Sequence, residues 1–260
     1  MKKEDGTFWV PMNYSRKFYG PTPMRIGLEK SRNVVTVRLA EMIGLSKVAK
    51  TIKKYKINDE PVVNYSMILG SSETTLLNIT NAYAMIANGG HKINPQYVEK
   101  IQDKNGKIIY SRSGINCSNC LIPENVDAEE IVMPSVISEK TPLTDPRSAY
   151  QMISLLEGVV QRGTGWRAKY LKKPLGGKTG TTNDSNDAWF VGFSSDLVFG
   201  VWVGYDIPKS LGENETGSSV TVPIFIDFMK KALRETPARP FKVPEDIKFA
   251  KIDRHNATIP

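Results

Sequence analysis

The apolar positions of this chain follow two different periods. Through the first ninety residues they recur every three or four positions, the spacing of helices that bury one face. Residues 24–30 form a short helical segment, and residues 34–43 form a second that Gly44 stops. Ser46 is placed to cap a third helix running to about Lys56, and residues 61–70 read as a loop. Residues 74–88 are helical again and are closed by Gly89 and Gly90. The pattern then alternates around Lys104-Asn105-Gly106, which predicts a hairpin within residues 97–110.

Residues 111–146 are polar and interrupted by proline. With the hairpin they suggest a surface excursion at about 97–146 and not a separate core. An amphipathic helix is predicted for residues 147–161. Three strand candidates follow in quick succession, at residues 176–182, 188–195 and 198–205, the last two joined by a tight antiparallel turn at Ser195-Asp196. The third is almost continuously apolar, so it is expected at the centre of the sheet. Pro223 opens a final helix that runs to about Glu235, and the proline-rich tail from about 236 reads as extended. The sum is an α+β fold, an antiparallel sheet flanked by helices with an α-rich lobe, in one partial domain spanning 1–260.

Composition narrows the function classes. With 40% hydrophobic and 24% charged residues the chain is ordinary for a globular protein. It contains no run of ~20 apolar residues that would span a membrane, and its first residues lack the apolar stretch of a signal peptide. The net charge of +8 comes from scattered lysines with no long basic run. That pattern argues against nucleic acid as a partner and suits a nearby anionic polymer or membrane surface. Cys117 and Cys120 form a CxxC pair in a polar loop, and His91 and His255 stand alone. No metal site or cofactor is therefore expected, and the pair reads as a local disulfide or two free thiols.

The chemistry concentrates in Gly176-Gly177-Lys178-Thr179-Gly180-Thr181-Thr182-Asn183. A Lys-Thr-Gly triplet arises by chance about once in twenty chains of this length, but this one lies on a predicted strand behind two glycines. Gly180 permits close backbone approach of a peptide that adds to the strand edge. The N–H after the glycine suits an oxyanion hole. The Thr179 and Thr181 hydroxyls suit a substrate carboxylate, and Lys178 brings positive charge. The plain alternative is an exposed strand carrying a lysine. A second triplet, Ser31-Arg32-Asn33, falls between two predicted helices, where its plain reading is a helix-capping serine.

Taken together, the triplets match serine acylating enzymes that carry Ser-x-x-Lys, Ser-x-Asn and Lys-Thr-Gly in that order. Longer segments extend the match. They are Glu29-Lys30-Ser31-Arg32-Asn33 with the helix behind it, Leu69-Gly70-Ser71-Ser72-Glu73, Arg162-Gly163-Thr164-Gly165 and Asp187-Ala188-Trp189-Phe190-Val191-Gly192-Phe193. Over about residues 9–233 the chain resembles the transpeptidase domain of class A penicillin-binding proteins, of the 1A type.

The resemblance implies a penicillin-binding transpeptidase fold, similar to serine β-lactamases, and D,D-transpeptidation through a serine acyl-enzyme. It implies that Ser31 passes a proton to the leaving amine, Asn33 hydrogen-bonds the bound amide, and Lys178 tunes the proton network. Thr179 and Thr181 would bind the terminal carboxylate on a strand completed by Gly180 and Thr182, with the Thr181 amide as half of the oxyanion hole. The implied partners are peptidoglycan stem peptides, β-lactams and cell-wall synthesis proteins, on the outer face of the cytoplasmic membrane.

One departure stands out. No serine in the chain is followed three positions later by lysine. By the resemblance, that nucleophile motif belongs upstream of Ser31, with a glycosyltransferase domain and membrane anchor, so the chain alone is expected to be inactive. Two rivals remain. A serine β-lactamase would carry Ser-Asp-Asn where this chain has Ser-Arg-Asn. A non-catalytic or split scaffold protein would need no nucleophile.

Overall fold

The structure, a computed structural model, describes residues 9–111, 116–118, 135–137, 141–253 and 258. It divides into two compact units, Met1–His91 with Leu143–Pro260, and Lys92–Pro142. The smaller unit pairs β1 (Lys100–Gln102) with β2 (Ile108–Ser111), and β3 (Asn116–Ser118) with β4 (Ser135–Ile137), both antiparallel. In the predicted hairpin, Asp103 Oδ1 accepts from the amides of Asn105 and Lys107 and fixes the turn. Cys117 falls in β3, while Cys120 and His255 lie outside the described residues.

The larger unit holds six helices among the described residues: α1 (Met24–Glu29), α2 (Asn33–Ile43), α3 (Leu45–Lys54), α4 (Leu76–Ala87), α5 (Pro146–Arg162) and α6 (Val222–Ala232). Its sheet is antiparallel, with β6 (Asp187–Phe193) between β5 (Gly176–Thr181) and β7 (Val198–Gly204). Strand alternation sends successive side chains to opposite faces. Phe190 therefore packs with Phe225 and Met229 of α6, and Phe193 packs with Ile153 and Leu156 of α5. The sheet is thus covered on both faces. Phe190 is fully buried, with its ring 4.8 Å from that of Phe225. Phe190→Ala is expected to cost about 3–5 kcal/mol, measured as a lowered midpoint in denaturant unfolding.

Three expectations are corrected. The apolar third strand is not central, because β6 holds that place. Residues 198–204 are apolar for another reason: both faces of β7 are covered. Phe199 stacks on Phe228 of α6, while Gly200 sits against Thr80 and Leu76 of α4. Ser46 lies inside α3 and does not cap it. Gly44 ends α2 and begins α3 at φ 96°, a conformation open to glycine, so no linker separates the two helices. The loop at 61–70 contains a 3-10 turn, Ser66–Leu69.

Pro146 occupies the first turn of α5 and Asp145 caps it, its carboxylate accepting from the Arg147 amide at 2.8 Å. Before α6 the chain makes a π-helical turn, Gly217–Thr221, that packs on the sheet. α1 and α5 bring their C-terminal ends together beside β5, and this junction positions the site.

Candidate active site

β5 pairs with β6 on one side only, and among the described residues its other edge has no strand partner. Register places Lys178 opposite Val191 and Gly180 opposite Trp189, on the face that carries Phe193. Thr179 and Thr181 fall on the face that carries Phe190. From this strand Lys178 Nζ donates to Ser31 Oγ at 2.8 Å and to its neighbour's carbonyl, Thr179 O, at 2.9 Å. Residues 147 positions apart thus meet at the two predicted motifs.

The turn that presents Ser31 is unusual for its sequence. Arg32 N donates to Gly27 O at 2.8 Å and Ser31 N donates to Leu28 O at 3.1 Å. These are the two bonds of a Schellman motif closing α1, with Ser31 at the position where glycine or asparagine usually stands. Ser31 accordingly has φ 51°, a left-handed conformation that costs a non-glycine residue of order 1–3 kcal/mol. The serine is therefore not the cap of the following helix. A strained position is occupied by a residue whose hydroxyl touches a lysine, the kind of local violation expected at functional sites.

Lys178 is part-buried, and its ammonium donates to a hydroxyl and a carbonyl. Desolvation by the packing around it lowers its pKa from 10.5 to about 8. About a tenth of the side chain would be neutral at pH 7. Between pH 8 and 10.5 the unfolded chain holds a proton that the folded chain has lost, so folding stability rises across that window. Below about pH 8 the desolvation cost is carried in full. Lys178→Met should flatten this rise in pH-dependent urea unfolding. An unchanged slope would show that Lys178 is not the group responsible.

The other face of β5 carries a hydroxyl cluster. Thr179 Oγ1 and Thr164 Oγ1 share a hydrogen bond of 2.6 Å, and Ser218 Oγ donates to Thr164 O at 2.8 Å. Arg167 Nη1 donates to Ser218 O at 2.6 Å. Thr181 Oγ1 accepts from Gly217 N at 3.0 Å. Thr164 was noted in sequence only within a matching segment and without a role, and Ser218 was not noted at all. The segment containing Thr164 offered a signal, since a small polar residue between Gly163 and Gly165 lets a hydroxyl sit close to a strand.

Two predicted residues are placed differently from the rest. Asn33 begins α2, and its Nδ2 donates to Met12 O at 2.9 Å, so it also secures the leading loop. Asn13 Oδ1 in turn accepts from Val34 N at 3.2 Å. Thr182 Oγ1 accepts from Asp187 N at 2.7 Å and donates to Asp187 Oδ2 at 3.2 Å, which closes the β5–β6 turn. A Cβ at Gly180 would lie 3.1 Å from Trp189 Cβ, so glycine also serves the close pairing of β5 with β6.

Known proteins resemble this chain in sequence and in fold. Residues 1–230 match the family model described as penicillin binding protein transpeptidase domain. The penicillin-binding protein 1A of Rickettsia bellii is 52% identical over 251 residues, covering 96% of this chain and 32% of that protein. The penicillin-binding protein 1A of Pseudomonas aeruginosa is 37% identical over 276 residues, covering 94% and 33%. The chain thus spans about a third of the length of these relatives. The crystal structure of penicillin-binding protein 1A from Haemophilus influenzae superposes with a TM-score of 0.85 at 28% identity, covering 100% of this chain and 41% of that one. The Mycobacterium tuberculosis PonA1 protein in complex with penicillin V shares the fold, with a TM-score of 0.72 at 20% identity over 100% of this chain and 67% of that one. On the Lys178–Ser31 junction, the sheet beneath it and these likenesses together, the chain belongs to the penicillin-binding protein transpeptidase domain family, of the 1A type.

Proposed function

We propose that this chain supplies the second and third motifs of a peptidoglycan D,D-transpeptidase, and that the serine nucleophile comes from sequence outside these 260 residues. The Lys178–Ser31 contact at 2.8 Å carries the reading. A hydroxyl beside a lysine of lowered pKa is suited to passing a proton. In the complete site a serine attacks the penultimate D-alanine carbonyl of a stem peptide. The C–N bond then breaks, and the terminal D-alanine leaves with a proton delivered through Ser31. An amine on a neighbouring stem attacks the acyl-enzyme and restores the serine.

Substrate placement follows from the strand. The open edge of β5 suits a peptide added as a further strand. Thr179 and Thr181 hold the terminal carboxylate, the Thr181 amide forms half of the oxyanion hole, and Asn33 hydrogen-bonds the substrate amide. β-Lactams enter the same site as stem-peptide mimics. The location of this chemistry is the outer face of the cytoplasmic membrane. Among the described residues no helix is long and apolar enough to cross a membrane.

The test is a chimera in which this chain replaces the matching region of the Rickettsia bellii relative. It should take up labelled penicillin in a form that survives denaturation, while the isolated chain takes up none. Ser31→Gly suits the left-handed turn and so removes the hydroxyl without disturbing the fold. In the chimera it should abolish most labelling. Undiminished labelling in Ser31→Gly, or a label retained by the isolated chain, would overturn the reading.

A further inference from the structure

Two residues before Ser31 lies Glu29, fully buried at the end of α1. Its carboxylate receives a two-pronged grip from Arg162 at the end of α5, with Nη2 to Oε1 at 2.5 Å and Nε to Oε2 at 3.2 Å. Arg25 Nη1 stands 3.9 Å from Oε1. The backbones are tied at the same place. Thr164 N donates to Glu29 O at 3.1 Å, and Lys30 Nζ donates to Arg162 O at 2.6 Å. Two glycines make room for the junction. A Cβ at Gly158 would overlap the Glu29 carboxylate, and one at Gly163 would overlap the Glu29 carbonyl oxygen.

The buried carboxylate needs an explanation beyond packing. An ion removed from water is weak evidence for stability, because apolar residues of similar size often serve as well or better. A carboxylate gripped by a guanidinium fork does something apolar contact does not: it fixes orientation. The junction also has two outputs. One end runs two residues to Ser31, held at φ 51° against Lys178. The other runs two residues to Thr164, whose hydroxyl meets Thr179. A strained left-handed serine persists only where its surroundings over-determine it.

We infer that the Glu29–Arg162 pair is a positioning device that locks the Ser31 turn and the Thr164 hydroxyl in register with the two faces of β5. Glu29 and Arg162 touch none of the reacting atoms in this scheme. They act through Ser31 on Lys178 and through Thr164 on Thr179. Arg162 is part-exposed and Glu29 is not, so the guanidinium reaches the buried carboxylate from the solvent side. The inference rests on the reading of Ser31 and Lys178 as the proton-handling pair, and its test separates the two.

The test follows Lys178 itself, by NMR titration of its side-chain amine in the chain as it stands. Arg162→Lys keeps the charge and removes the fork, while Glu29→Gln keeps the shape and removes the charge. The unaltered chain should titrate near 8. In Arg162→Lys, loosening of the Ser31 turn admits water to Lys178 and should raise its midpoint by about one pH unit toward the ordinary lysine value. In the chimera the same variant should slow penicillin acylation about tenfold while changing its dissociation constant little. Glu29→Gln leaves Arg162 without its counter-charge and should show the larger acylation defect if it folds. A lowered melting temperature with an unmoved Lys178 midpoint and unchanged acylation would make the pair purely structural and overturn the inference. A midpoint near 10.5 in the unaltered chain would instead remove the premise, that Lys178 is held in a desolvated contact with Ser31.

Discussion

Replacing Lys178 with alanine in the chimera is expected to slow penicillin acylation by about 10²–10⁴-fold, the range for loss of a positioned proton-transfer group. The side chain joins three functions that alanine cannot share. It holds the Ser31 hydroxyl at 2.8 Å, bonds the Thr179 carbonyl at 2.9 Å, and sits desolvated with a pKa near 8. Lys178→Arg should recover little, because a guanidinium stays charged at every accessible pH and is broader than an ammonium. Stopped-flow labelling with a fluorescent penicillin measures both variants. A loss of less than about threefold for alanine would mean that the lysine takes no part in proton handling.

The second large effect is structural. Gly163→Ala should destabilise the chain by about 3 kcal/mol or more, or displace the site if the chain tolerates it. The new Cβ would overlap the Glu29 carbonyl oxygen and stand 2.7 Å from Val159 Cα and 2.8 Å from Val159 O. All three are backbone atoms, so no side-chain rotation relieves the crowding. The same backbone carries Thr164, so a folded variant should also label more slowly in the chimera. Thermal melting and labelling together check this. A variant that melts and labels like the parent would show that the α1–α5 junction is looser than its geometry states.

Much of the site was legible because its residues are local to short motifs. The Lys-Thr-Gly strand announced itself through two leading glycines and alternating small polar residues, and β5 spans Gly176–Thr181 accordingly. Ser31-Arg32-Asn33 was legible as a turn between helices. Its left-handed geometry was not, since serine at a Schellman position runs against local preference. The Glu29–Arg162 pair was hidden for a different reason. Its partners are 133 residues apart, and a charged residue near a helix end reads as solvent-facing by default. The signal that could have exposed it is the pairing of Glu29 with glycines at 158 and 163, which makes sense only with the tertiary contact in hand.

The fold errors have equally physical origins. Residues 198–204 looked central because both alternating sets are apolar, but a strand acquires that pattern whenever helices cover both its faces. Apolar content reports burial of the faces and says nothing about the edges. Thr182 joined the substrate-binding residues through its neighbours in sequence, and in the structure its hydroxyl also hydrogen-bonds with Asp187 across the turn. The helices of residues 24–88 were the easiest to find, since their period survives even where, as at Gly44, the linkers vanish.

The most direct test of the central claim is the crystal structure of the chimera acylated by benzylpenicillin. The penicillin carboxylate should lie within hydrogen-bonding reach of the Thr179 and Thr181 hydroxyls, with Ser31 Oγ still bonded to Lys178 Nζ beside the acylated serine. A drug carboxylate bound away from β5, or Ser31 and Lys178 parted in the adduct, would contradict it.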